Sequence, residues 1–247
     1  MKLPSMSETY AASRADLHLV AAHIVARSRF QATGRFGLRP LPGGFGTPAF
    51  GSDAEVVRVS DGRLIRERTG QPASTVSAMI DGRTLRELAG VAGVDLDRPF
   101  DAGEDLPGLG DTDRRLSVDA SSAKLIGQWI AFSCPIIDRV VGETSRRIGD
   151  DATPGVLQHW PEHFDAGLDI GVAPGRRMNL GASLGDGYHR APYLYAGPWT
   201  PDRPGDAGYW NAPFGAVLGY EELAVAPDPG ATAEAFLTEG IARLSGA

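Results

Sequence analysis

The spacing of apolar residues in the first third of the chain predicts one long helix followed by a hairpin. Leu17, Val20, Ala21 and Ile24 recur at the i, i+3, i+4, i+7 spacing of an amphipathic helix, which we place at residues 11–29. Two strand patterns at 55–60 and 63–68 flank Asp61-Gly62, a dipeptide that favours a tight turn because both residues tolerate positive φ. Weaker patterns predict a strand at 35–41, a Gly/Pro-rich loop at 42–52, a strand at 74–80 and a helix at 84–91.

The rest of the chain opens with a second apolar helix and continues as strands. A helix capped by Ser121 or Ser122 presents Leu125, Ile126, Trp129 and Ile130 on one face, and Pro135 predicts a kink within it. Strands at 156–160 and 164–171 are joined by the segment Pro161-Glu162-His163. Further strands are predicted at 177–182, 192–199 and 216–220, and a closing helix carries Ala233, Phe236, Leu237, Ile241 and Leu244.

Strands that follow one another directly favour antiparallel pairing, so the sequence predicts an α+β fold. We expect a mainly antiparallel sheet with helices packed on one side, arranged as two pseudo-similar helix–strands–helix halves. The halves, 7–93 and 119–247, are expected to form a single compact domain, 1–247, joined by an acidic loop at 94–118. Eight acidic residues between 95 and 119 lack the spacing of a calcium loop, which indicates a solvated connection.

Composition excludes several classes of protein. With 42% hydrophobic residues, 247 residues can form a core without disulfides, and the single cysteine, Cys134, excludes an internal one. The 24 basic and 31 acidic residues give a net charge of −7, which disfavours nucleic acid as a partner. The chain has no run of 18 apolar residues and no apolar stretch at its start, so we expect a cytoplasmic protein without a membrane partner.

Aromatic residues and histidines concentrate between residues 159 and 220. Three of four Trp, five of six Tyr and three of five His fall in this segment. Rings with polar tips are typical of a ligand pocket or a partner surface, and equally of the core of a twisted sheet. Both interpretations stay open at the level of sequence.

The densest group of ionisable residues surrounds Pro161. His159, Glu162 and His163 formally match H-x-x-E-H, a zinc-hydrolase signature that requires a helix, whereas Pro161 and the neighbouring strand pattern argue against a helix here. In a strand, Asp165 and Asp169 share one face, and the glycine between them leaves room for a ligand or another backbone.

Two further candidates lie in the Gly-rich segment that follows. His189 is a candidate general base, and Arg176, Arg177 and Arg190 can hold a carboxylate or phosphate. Ser183 lies in Gly-Ala-Ser-Leu-Gly, which formally fits a nucleophile elbow, although the residues after it do not favour the helix that an elbow needs.

Three motifs give the chain a family resemblance. The segments WPEHFD at 160–165, PYLYAGPW at 192–199 and WNAPFG at 210–215, together with residues 17–51, resemble a family of actinobacterial proteins to which no activity is assigned. The composition, with 22 Arg against two Lys and 32 Gly, indicates a GC-rich genome, and the resemblance agrees with a bacterial source of this kind and a cytoplasmic location. It implies neither a substrate nor a catalytic residue.

The leading hypothesis is a protein that binds a small polar or aromatic molecule in a pocket lined by residues 159–214. The candidate catalytic residues are His159, Glu162, His163, Asp165 and His189, and the candidate ligand-binding residues are Trp160, Asp169, Arg177, Tyr193, Tyr195 and Trp210. One alternative is a hydrolase, either metal-dependent through His159, Glu162 and His163 or serine-based through Ser183. Another is a homodimeric interaction module. The sequence identifies no cofactor and leaves a metal requirement open.

Overall fold

A computed structural model describes residues 2–101, 103, 105–205 and 207–246. Within these residues the protein has an α+β fold, 36% helical and 25% strand, with two antiparallel five-stranded sheets. The predicted fold class is therefore confirmed. The predicted pseudo-similarity of two halves is not confirmed.

The elements follow one another in a simple order. The helices are α1 (Tyr10–Val20), α2 (Arg27–Thr33), α3 (Leu85–Ala92), α4 (Ala120–Ile148), α5 (Tyr220–Val225) and α6 (Pro229–Ser245), with a π-helical segment at Ala21–Ala26 and a 3-10 turn at Gly149–Ala152. The strands are β1 (Arg39–Leu41), β2 (Gly44–Gly46), β3 (Val56–Ser60), β4 (Arg63–Arg68), β5 (Ser74–Met79), β6 (Gln158–Trp160), β7 (Asp165–Ala173), β8 (Arg176–Ser183), β9 (Tyr193–Pro198) and β10 (Ala216–Gly219). The sheet orders are β1-β2-β3-β4-β5 and β10-β9-β8-β7-β6.

The chain divides into two compact units. The N-terminal unit comprises residues 6–131 and 159–164, and the C-terminal unit comprises residues up to 5, 132–158 and those from 165 onward. The acidic segment 94–118 lies within the N-terminal unit, and two of its residues, 102 and 104, fall outside the described part of the chain. The expectation of a single compact domain stays a prediction.

In the N-terminal unit, the hairpin of β3 and β4 forms around the predicted turn. Asp61 and Gly62 adopt φ values of 47° and 75°, and Ser60 pairs with Arg63 across the turn. Alternate residues of the hairpin, among them Val57, Val59 and Leu64, are buried. The π-helical segment contacts β2 and β3, and α3 contacts β4 and β5, which provides the apolar cover that these side chains need.

Part of the predicted Gly/Pro-rich loop is instead a strand, so the loop prediction at 42–52 is wrong for residues 44–46. A Cβ atom added at Gly46 would lie 2.5 Å from Cβ of Arg58, and one added at Gly44 would overlap the carbonyl group of Val59. Glycine therefore lets β2 approach β3 closely enough to pair with it. Composition indicates a loop here because the same residue type serves turns and close backbone contacts.

In the C-terminal unit, β7 to β10 pair as antiparallel neighbours. Helix α6 contacts β7, β8, β9 and β10. The apolar residues of alternate strand positions are buried, namely Ala166, Leu168, Ile170, Met178, Leu180, Leu194, Ala196 and Ala216. Strand β10 ends at Gly219, one residue before the predicted end, because Tyr220 begins helix α5, which the sequence analysis missed.

Helix α4 runs from Ala120 to Ile148 and includes Pro135, the position at which the sequence predicts a kink. Burial raises the pKa of the Cys134 thiol to about 12, which agrees with the unreactive core position of this residue. The segment Ala120–Ala152 is long and apolar enough to cross a membrane, yet 67% of its most apolar stretch is buried within the protein. These properties are consistent with the core helix of a soluble protein.

We predict opposite effects for two glycine substitutions in the N-terminal unit. Gly44→Ala should lower the free energy of unfolding by about 1–3 kcal/mol, because its methyl group meets rigid backbone of β3. Gly90→Ala, in the exposed interior of α3 with no atom near the new methyl group, should raise it by about 1 kcal/mol. Urea denaturation of both variants measures the two changes, and equal effects would contradict the assignment of β2.

Candidate functional site

His159 lies in the core of the N-terminal unit rather than in an open site. Its imidazole is fully buried, stacks on Phe45 at 4.8 Å between ring centroids and meets the edge of Phe164 at 5.3 Å. Neither ring nitrogen has a hydrogen-bond partner among the described residues. Burial lowers the pKa of His159 to about 3, and the nearby His18 lowers it further. The ring is therefore neutral at physiological pH.

The turn after His159 is held by a second imidazole. The Nε2 of His18 donates to the carbonyl oxygen of Pro161 at 2.8 Å, and its ring stacks on Phe164 at 5.0 Å. Burial lowers the pKa of His18 to about 4. Phe164 closes the turn with φ of 55°, an uncommon conformation for a bulky residue. Three rings, those of His18, Phe45 and His159, contact Phe164 and hold it in this conformation.

The remaining residues of the H-x-x-E-H match occupy different surroundings. His163 is 52% exposed and its Nδ1 lies 3.7 Å from a carboxylate oxygen of Asp105, whereas burial raises the pKa of Glu162. Trp160, half-buried, belongs to the same short strand as His159. The described residues include no group of three or more His, Cys, Asp and Glu side chains placed to hold a metal ion.

Five predicted site residues share one face of the C-terminal sheet, because antiparallel register aligns them. Across β7, β8 and β9, Asp165 pairs with Ser183, and Ser183 pairs with Tyr193. Two residues further along β7, Gly167 pairs with Gly181, and Gly181 pairs with Tyr195. We call this surface the polar face. Its members are Asp165, Gly167, Asp169, Arg177, Asn179, Gly181, Ser183, Tyr193 and Tyr195.

The Tyr195 ring occupies the space above two glycines of the polar face. A Cβ atom at Gly167 would lie 2.5 Å from the Tyr195 hydroxyl oxygen, and one at Gly181 would overlap the ring. The hydroxyl donates to Oδ2 of Asp165 at 2.5 Å. Burial, followed by the negative charge of Asp165, raises the pKa of Tyr195 well above its usual value, so the hydroxyl stays a neutral donor. The space that Gly167 leaves open beside Asp165 is therefore occupied by the Tyr195 side chain.

The loop after β8 is ordered around Asp186. One carboxylate oxygen of Asp186 accepts the backbone N–H groups of Tyr188 at 2.8 Å and His189 at 3.0 Å, and the other accepts the Tyr193 hydroxyl. Burial raises the pKa of Tyr193. The Nδ1–H of His189 donates to the carbonyl oxygen of Ala191 at 3.0 Å, which leaves Nε2 as an acceptor without a partner among the described residues.

At the opposite end of the polar face, Arg177, which pairs with Asp169, borders a cavity of about 270 Å³. The Nε of Arg177 donates to Oδ2 of Asp169 at 3.0 Å, and its Nη1 and Nη2 donate to the hydroxyl and carbonyl oxygens of Thr153 at 2.7 and 2.9 Å. The guanidinium carbon lies 5.2 Å from the ring centroid of Trp199, which also lines the cavity.

Trp199 is the residue that the sequence analysis missed. It is 59% exposed, yet its Nε1 donates to Oδ1 of Asn179 at 2.8 Å, which fixes the orientation of the indole. The signal was present in the sequence, because Tyr193, Tyr195 and Trp199 are separated by even numbers of residues and so fall on one face of a strand.

Trp210 belongs to a different aromatic group. Its ring meets Tyr209 at 4.8 Å and the guanidinium of Arg203 at 5.7 Å, and its Nε1 donates to the carbonyl oxygen of Pro204 at 2.9 Å. Tyr209 in turn packs on Phe236 of α6 at 5.4 Å. This candidate ligand-binding residue therefore packs in the loop region beside α6.

Ser183 ends β8 with 2% of its surface exposed, and its Oγ accepts the N–H of Gly185 at 3.0 Å. The chain then runs without helix to β9 at Tyr193. The strand–turn–helix geometry of a nucleophile elbow is thus not formed by these described residues.

The chain matches no family model, no curated protein and no solved structure. The resemblance to an actinobacterial family therefore stays a prediction.

The buried His159 predicts that stability falls with acidification. Its pKa is about 3 in the folded protein and about 6.5 when unfolded, so the unfolded state binds the extra proton below pH 6.5. The stability contributed by neutral His159 is present above pH 6.5 and is lost as the pH falls toward 3. Near pH 5 the slope from this residue should be about 1.4 kcal/mol per pH unit.

The test compares His159→Phe with the wild type in urea denaturation at pH 7 and pH 5. His159→Phe should lack the part of the pH dependence of the unfolding free energy that comes from His159, because phenylalanine takes up no proton in either state. His163→Gln, at the exposed end of the same turn, should keep the wild-type slope. An unchanged slope in His159→Phe would contradict the burial of a neutral ring.

Removing the Tyr195 hydroxyl should destabilise the C-terminal unit more than removing that of Tyr209. Tyr195→Phe takes a donor from a buried carboxylate and should cost about 1.5–3 kcal/mol. Tyr209 donates to a neutral acceptor, the carbonyl oxygen of Phe236 at 2.8 Å, so Tyr209→Phe should cost about 0.5–1.5 kcal/mol. Thermal or urea denaturation ranks the two variants, and the reverse order would refute the role given to the Asp165 pair.

Proposed function

We propose that the protein binds a small polar or aromatic molecule on the polar face of the C-terminal unit, within the region of residues 159–214. The observation that carries the proposal is the position of Trp199. An exposed indole, fixed by Asn179 and Arg177, lies at the edge of a cavity of about 270 Å³. Large apolar rings held open to solvent are typical of binding surfaces.

The chemistry of the cavity favours a planar molecule with a polar substituent. Its volume is close to the lower end of the range for small-molecule pockets, roughly 300 Å³. The ring of Trp199 offers a surface for stacking, and two arginines, Arg176 and Arg177, line the cavity together with the carboxylate of Asp151. Arg176 also lies 3.7 Å from a carboxylate oxygen of Asp202. Arg176 donates to the carbonyl oxygen of Leu244 at 2.8 Å, which anchors its guanidinium. A planar acid or phenol has a ring that can stack on Trp199 and a polar group that the arginines can contact.

The buried end of the polar face supports the proposal in a different way. Asp165 and Tyr195 form a pair that is costly to bury, and groups of this kind concentrate at functional sites. His189, with an unoccupied acceptor nitrogen, lies beside Tyr193 at 5.9 Å between ring centroids. These groups lie at the end of the polar face away from the cavity, so they support the proposal as a concentration of polar groups on this face and not as contacts to the same ligand.

The proposal retains the cytoplasmic, bacterial setting expected from the sequence, with no nucleic-acid or membrane partner. The hydrolase and homodimer alternatives stay predictions. Neither the burial of His159 nor the loop after Ser183 favours the hydrolase.

The experiment is ligand-observed saturation-transfer NMR with benzoate, 4-hydroxybenzoate, nicotinate and indole as probes. At least one probe should bind the wild type saturably. Trp199→Leu should weaken its affinity about tenfold, because it removes the stacking surface while leaving the sheet intact. Arg177→Gln should weaken binding of the acidic probes in particular.

Trp210→Leu is the matched control, since it removes the same side chain from the separate aromatic group. It should leave affinity within about twofold of the wild type. Circular dichroism verifies that each variant is folded. If no probe binds, or if the two tryptophan variants behave alike, the polar face is not the binding site.

A further inference from the structure

A second cavity lies in the N-terminal unit and is lined by three arginines. Its volume is about 330 Å³, and the lining comes from α2, the turn at residues 50–53, β4 and the end of α3. The charged residues at its surface are Arg66, Arg68, Arg98, Asp53 and Glu55. Three guanidinium groups therefore face two carboxylates, which leaves an excess positive charge.

One carboxylate oxygen of Glu55 is shared by two of the arginines. Oε2 of the buried Glu55 accepts from Nη2 of Arg66 at 3.0 Å and from Nε of Arg68 at 2.6 Å. A single carboxylate thus neutralises one charge of a two-arginine pair. The other carboxylate, Asp53, is exposed, and its Oδ1 lies 3.4 Å from the Ser52 hydroxyl.

Donors remain unpaired on two of the arginines. The Nε of Arg66 is buried and has no hydrogen-bond partner among the described residues. The guanidinium of the exposed Arg98 likewise makes no hydrogen bond or ion pair within the described part of the chain. The cost of a buried donor without an acceptor, about 1–3 kcal/mol, applies to Arg66, whereas the exposed Arg98 is solvated and offers an unpaired positive charge to an oxygen ligand.

The backbone holds both arginines at the cavity. The guanidinium of Arg66 lies against Gly93, where any Cβ atom would overlap it, and Gly93 ends α3 in the left-handed conformation with φ of 69°. Arg27 donates from Nη2 to the carbonyl oxygen of Arg98 at 2.6 Å, which anchors the segment carrying Arg98. The Arg66 guanidinium is therefore fixed at the cavity, whereas at Arg98 the backbone is anchored and the side chain stays free to adjust to a ligand.

We propose that this cavity binds a small oxyanion, a carboxylate or phosphate group, between Arg66 and Arg98. Planar guanidinium groups bind such anions in bidentate fashion. The ring of Phe50 also lines the cavity and offers an apolar contact to an organic part of the ligand. This cavity belongs to the N-terminal unit, so an oxyanion bound here is independent of any ligand on the polar face.

The experiment follows the Nε–H signals of arginine in ¹⁵N-labelled protein during titration at constant ionic strength. One arm uses inorganic phosphate and the other benzoate, which separates a phosphate site from a carboxylate site with a ring contact. The Arg66 signal, identified by its absence in Arg66→Lys, should shift saturably with at least one probe.

Arg98→Gln should weaken that affinity about fivefold to tenfold, since it removes one charge-assisted contact from an exposed side chain. Arg35→Gln is the control, because Arg35 is exposed and absent from the cavity lining. It removes the same charge and should change affinity by less than about twofold. If neither probe shifts Arg66 saturably, or if both variants weaken binding equally, the cavity is not an oxyanion site.

Discussion

The antiparallel register of β7, β8 and β9 determines which side chains of the C-terminal unit form the polar face and which form the core. Because Gly167 and Gly181 lie opposite each other, the Tyr195 ring can lie flat on the sheet and reach Asp165 with its hydroxyl. A shift of one residue in any of these strands would exchange the polar face for the apolar face that α6 covers. Core packing and the polar face are therefore set by a single alignment of backbones.

The same alignment explains which parts of the site were visible in the sequence. The alternation from Asp165 to Ile170 predicts a two-faced strand, and it also places Asp165 and Asp169 on one side, as observed. The partners of these residues come from β8 and β9, and no pattern within β7 specifies which residue of another strand is opposite it. That information depends on turn lengths and pairing, so the contacts of Asp165 and Asp169 with β8 and β9 could not be predicted, whereas the even spacing of Trp199 from Tyr195 could have been used.

Histidine illustrates the limit of assigning chemistry from residue type. His159 and His163 are four residues apart and carry the same functional group, yet one is a core ring against Phe45 and the other is exposed beside Asp105. Spacing predicts a shared ligand only if the backbone is helical between them, and Pro161 lies in a turn. Similarly, glycines at 44 and 46 belong to a strand because β3 is close, which composition alone does not reveal.

The chain passes between its two units four times, and the segment 159–164 returns to the N-terminal unit for only six residues. Neither unit is therefore a contiguous piece of polypeptide. During synthesis, the stack of Phe45 on His159 and the stack of His18 on Phe164 can both form only after residue 164 has left the ribosome, long after the hairpin of β3 and β4 has emerged. Until then the earlier segments expose the apolar surface that Phe164 later covers, so premature termination shortly before this point leaves a chain prone to aggregation.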